Sequence, residues 1–133
     1  MRHLLTALLT LMALSSQAAP LEVTLKDGER VRIGEHGPLL QAMVLEDSRC
    51  PVDVQCIQAG QVLLMLAVSP AEGTPPTMVA VSWPDHSQPK WRARYTHPDY
   101  RFELLSLEPR ACTSCKLMPG HTIRLRITPR KKP

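Results

Sequence analysis

The chain has 133 residues, with 16 basic and 12 acidic side chains and a formal net charge of +4. That surplus is too small for a nucleic-acid surface, and loss of Arg2 with a leader would lower it to +3. The length suits one domain with a modest core, and no second domain is evident.

The N-terminal stretch MRHLLTALLTLMALSSQAAP sets Arg2 and His3 ahead of an apolar run from Leu4 to Leu14, followed by small residues. This is the pattern of a secretory signal peptide, residues 1–18, with cleavage expected after Ala18. Its apolar core is about half the roughly 20 residues that a spanning helix needs, so no membrane span is expected. No cysteine follows the run, so a lipid anchor is not expected. Residues 19–133 then read as a single β-rich domain with a basic C-terminal tail, periplasmic or secreted.

Beyond the leader, 13 prolines and six glycines are spread through the whole chain. They cut it into pieces too short for ordinary helices. LEVTLK alternates Leu21, Val23 and Leu25 on one face, and ERVRI does the same with Val31 and Ile33. The Asp27-Gly28 pair between them predicts a two-residue hairpin. PLLQAMVLE, residues 38–46, is a third strand. The run from Val62 to Val68 is nearly all apolar and predicts a central strand buried on both faces. TMVAVSW, WRARY, YRFELLSLE and HTIRLRIT follow, separated by PAEGTPP, PDHSQPK and THPD. Seven or eight short strands with regular turn signals predict an all-β fold, a small antiparallel sandwich or barrel. The signal peptide supplies the expected helix.

Cys50, Cys56, Cys112 and Cys115 are an even set in a chain read as exported, where thiols pair. Two disulfides are the default, and pairing within each local couple needs the least chain organisation, although three connectivities exist on paper. Both couples lie in loops, RCPVDVQC and PRACTSCKLMPG, which can meet at one end of a sandwich. Asp47, Arg49, Pro51 and Asp53 are read as loop-shaping residues, with Arg49 held by Asp47 or Asp53. One alternative makes CTSC a redox pair helped by Arg110 and Lys116, although the helix N-terminus usual for that chemistry is missing. Another joins Cys50, Cys56, Cys112 and Cys115, or two of them with His121 or Met118, around zinc or copper. No resident cofactor is expected under the default reading.

Other chemistry finds little support. His36, His86, His97 and His121 lie in or beside turns and read as scattered surface side chains. No serine occupies a nucleophile elbow, and no glycine-rich phosphate loop follows a strand. Trp83, Trp91, Tyr95, Tyr100 and Phe102 fall in one short span and are expected to pack the core or a hairpin, with an exposed stacking platform as the alternative. Arg124, Arg126, Arg130, Lys131 and Lys132 crowd the end and are read as solvated, with a weak anionic cell-envelope site as the alternative.

The run DSRCPVDVQCIQAG, residues 47–60, closely resembles the signature of a family of small uncharacterised bacterial exported proteins and lipoproteins. The matching residues are Asp47, Ser48, Arg49, Cys50, Pro51, Cys56, Ala59 and Gly60, while Gln58 stands where members commonly carry tryptophan. The resemblance implies a compact β-rich exported domain with Cys50 and Cys56 bridged. It implies no activity. The sequence therefore points to a non-enzymatic binding or structural module, with a protein or an anionic envelope component as partner. Thiol–disulfide exchange is the one enzymatic alternative.

Overall fold

The computed structural model describes residues 19–84, 94–115 and 120–131. The expected signal peptide, His86, Trp91, Lys116, Met118 and Lys132 lie outside the described residues. Eight strands are present: Leu21–Lys26 (β1), Arg30–Arg32 (β2), Leu39–Asp47 (β3), Gln61–Ser69 (β4), Thr77–Pro84 (β5), Arg94–Thr96 (β6), Tyr100–Glu108 (β7) and Thr122–Pro129 (β8). They form two four-stranded antiparallel sheets, ordered β1-β8-β7-β6 and β2-β3-β4-β5. The fold is all-β, and the described residues contain no helix.

The inner faces meet in one core. Leu25, Phe102, Leu104, Leu107, Ile123, Leu125 and Ile127 from the first sheet pack with Leu40, Ala42, Val62, Leu64, Leu66, Val68 and Trp83 from the second. Strict alternation along β8 explains this, because Ile123, Leu125 and Ile127 share one face while Arg124 and Arg126 share the other. Trp83 and Phe102 are fully buried, and Tyr95 and Tyr100 pack against the core. These four aromatics therefore form no exposed platform.

The Asp27-Gly28 turn corrects the hairpin expectation, since β1 pairs with β8 and β2 pairs with β3. Glu29 N donates to Lys26 O at 2.9 Å, closing a turn in which Gly28 has φ +77°. Among the described residues no non-glycine has positive φ, Asp27 included, so the turn is not the type I′ that twists with a hairpin. With glycine at its second central position it resembles type II, which splays the flanking strands and here carries the chain from one sheet to the other.

β4 is central in its sheet, but only one of its faces meets the core. Val62, Leu64, Leu66 and Val68 are buried there, while Leu63 and Met65 remain half-exposed on the other side. The apolar run reflects an apolar outer face in place of a second buried one.

Candidate functional site

The two cysteine loops come together at one end of the sandwich. The β3–β4 connection contains Cys50–Cys56, and the β7–β8 connection contains Cys112–Cys115; both pairs are disulfides, with no free cysteine. Val52 N donates to Ala111 O at 2.9 Å, and Arg110 Nη2 donates to Cys50 O at 3.3 Å. Each bridge stays within its own loop even though the loops touch.

Asp53 joins them most closely. Its Oδ1 accepts Thr113 N at 2.9 Å, and its Oδ2 accepts Thr113 Oγ1 at 2.7 Å, Ser114 N at 3.0 Å and Ser114 Oγ at 2.9 Å. The Thr113 bonds lead, followed by those from Ser114, and together they hold the Asp53 carboxyl far below the usual carboxylate range. Cys112 Sγ lies 3.4 Å from Asp53 Oδ2, but a disulfide sulfur has no proton to donate. On reduction, the carboxylate would oppose a thiolate at Cys112.

Asp53 is not the partner of Arg49. Asp47 ends β3, and in extended chain the residue two positions on points to the same side. Arg49 Nε and Nη2 accordingly donate to the two Asp47 oxygens, each at 2.7 Å. Arg49 Nη1 donates to Leu107 O at 2.8 Å, with a longer 3.5 Å contact from Nη2 to Pro109 O. The guanidinium thus ties the start of the first cysteine loop to the strand that leads into the second. Burial would raise the Asp47 pKa, but the Arg49 hydrogen bonds and charge, with a smaller contribution from His121, hold it below its ordinary value. His121 Nε2 lies 3.3 Å from Asp47 Oδ2, so this half-buried histidine borders the buried Asp47–Arg49 pair.

His97 is buried, its ring against Phe102 and Tyr100, with Nδ1 accepting Asp99 N at 3.2 Å. It departs from the surface role expected from its turn position, whereas His121 stays part-exposed. Turn composition alone does not reveal which histidine is covered. His36 is exposed beside Glu35.

The clustered arginines are largely engaged. Arg126 Nη2 meets Glu22 at 2.9 Å, Arg124 reaches the same carboxylate at 3.3 Å, and Arg126 lies 3.6 Å from Glu103. Arg130 is anchored through its side chain to the His97 and Pro98 carbonyls. The tail expected to begin there is therefore fastened through Arg130.

Around Cys50–Cys56 the surface mixes polar side chains with exposed apolar ones. Val52 is 65% exposed, Val54 43%, and Ile57 fully. They border an open depression of about 670 Å³ lined also by Pro51, Gln55, Cys56 and Arg110. Sequence reasoning singled out the cysteines and aspartates here but missed Val52, Val54 and Ile57, whose only signal was apolar residues inside a loop. Pro51 belongs to the depression as well as to the turn. Among the described residues, no group of three or more His, Cys, Asp or Glu side chains is arranged to hold a metal ion. Comparison with family models, curated proteins and solved structures finds no match.

Proposed function

We propose that the protein is an exported, non-enzymatic binding module and that its cysteine-loop end docks a protein partner. The observation that carries this reading is the trio Val52, Val54 and Ile57, held outward on a loop fastened by a disulfide, the Asp53 bonds and Arg49. Large apolar side chains gain nothing from exposure on a connection, and a surface ordered before contact loses less entropy when it binds. The complement of this surface is a protein segment offering an apolar side chain.

Export to the periplasm or beyond is supported by the leader-like N-terminus, the resemblance of residues 47–60, and two disulfides suited to an oxidising compartment. No helix among the described residues is long and apolar enough to cross a membrane. The zinc or copper alternative at the cysteines would require opening both bridges. The redox alternative retains the exposed Cys115, but Asp53 beside Cys112 works against thiolate formation.

The test places a photo-crosslinking residue at Gln55 in the exported protein. A discrete adduct that Ile57→Asp abolishes, with the melting temperature unchanged, is the expected result. Absence of an adduct, or one indifferent to Ile57→Asp, overturns the docking surface.

A further inference from the structure

The outer face of the β2–β5 sheet carries a second feature, independent of the cysteine loops. Met43 on β3 is the direct cross-strand partner of Met65 on β4, and both point away from the core because their neighbours Ala42, Leu64 and Leu66 are buried. On β5, Met78 faces Ala67 and Ala80 faces Met65. Met78 is therefore diagonal to Met65 on the same face, and it is 54% exposed. Directly paired residues hold their Cβ atoms ~5 Å apart, and diagonal neighbours ~7–8 Å, within reach of long side chains. Methionine has three rotatable bonds, and small Ala67 and Ala80 leave room for them.

We propose that Met43, Met65 and Met78 form a thioether site for a soft monovalent cation of the copper(I) class. Thioether sulfur selects soft d10 ions over magnesium, calcium or zinc. The polar side chains near this row are engaged elsewhere: Gln41 donates to Gly28 O at 2.7 Å, and Ser82 donates to Gln61 Oε1 at 2.6 Å. Glu46, opposite Leu63 at the end of the row, adds a negative field without interrupting it. All four cysteines are in disulfides, so they are closed to soft-metal ligation while thioethers remain available without a reductant. Three methionines on an outer sheet face also depart from the Thr and β-branched residues that strands favour.

The probe is Ag(I), which is soft, monovalent and redox-inert, so it leaves the bridges intact. The disulfide-bonded protein, labelled at methionine methyl carbons, is titrated and followed by NMR. The signals of Met43, Met65 and Met78 should move together and saturate at one equivalent. Met65→Leu conserves volume and should weaken binding at least roughly tenfold, the loss that even an outer partner of a metal ligand causes. Non-saturating shifts, no shift of these three methyl signals, or full affinity in Met65→Leu would overturn the proposal. If Met65→Leu fails to fold, Met78→Leu on the edge strand gives the same decision with less burial at stake.

Discussion

At the scale of single residues, two carboxylates with similar sequence neighbourhoods do different work. Asp47 sits under Arg49 in a network with few routes to water, whereas Asp53 lies in the open and binds the backbone of the opposite loop. Removing the Arg49 side chain would leave the buried Asp47 carboxylate with only the residue-49 backbone N–H and His121 beside it. Arg49→Ala should therefore destabilise the fold by about 3 kcal/mol, at the lower end of the range for breaking a buried pair, read as an earlier urea midpoint. An unchanged midpoint would show that the pair contributes nothing. The Asp47–Arg49 contact was within reach of the sequence, because two-residue spacing in extended chain puts side chains together. The Leu107 carbonyl, 58 positions away, was not.

At the scale of elements, the cysteine loop depends on how closely the end of β3 approaches the start of β4. Ser48 N donates to Gln61 O at 2.9 Å, and Gln61 N donates to Ser48 Oγ at 3.1 Å. A Cβ on Gly60 would run into the Ser48 carbonyl, a backbone group that cannot swing aside. This gives a physical reason for glycine at the end of DSRCPVDVQCIQAG. Gly60→Ala should cost about 1–3 kcal/mol as overpacking, seen as a lower denaturation midpoint with an unchanged denaturant slope. The existence of the strands followed from alternation, and for β4 from its continuous apolar run, but pairing did not. Asp27-Gly28 joins two strands adjacent in sequence, yet the turn's handedness sends them to different sheets.

At the scale of the whole molecule, stability should follow pH through the acidic groups. Asp47 and Asp53 both have folded-state pKa values lowered by their hydrogen bonds. As pH falls, the unfolded chain takes up protons near pH ~4 while these folded carboxyls still resist. Their contribution is complete above the unfolded value and drains away as the folded groups titrate. A plateau above about pH 5 and a decline below about pH 4 are expected in chemical denaturation. Asp47→Asn should make the decline shallower. A profile that stays level down to about pH 3 would contradict the assignment of these groups as the acid-sensitive set.

Composition and period-two patterning determined that the chain would be all-β, where its strands would lie, and that its cysteines would sit in loops. Those properties depend on neighbours a few positions apart, and the polarity of a strand face is written in its alternate residues. Only the tertiary structure decided that the two cysteine loops meet through Asp53, that His121 closes on Asp47, and that Met43, Met65 and Met78 share a face. These relations depend on sheet order and register, which are set by the packing of faces from distant strands.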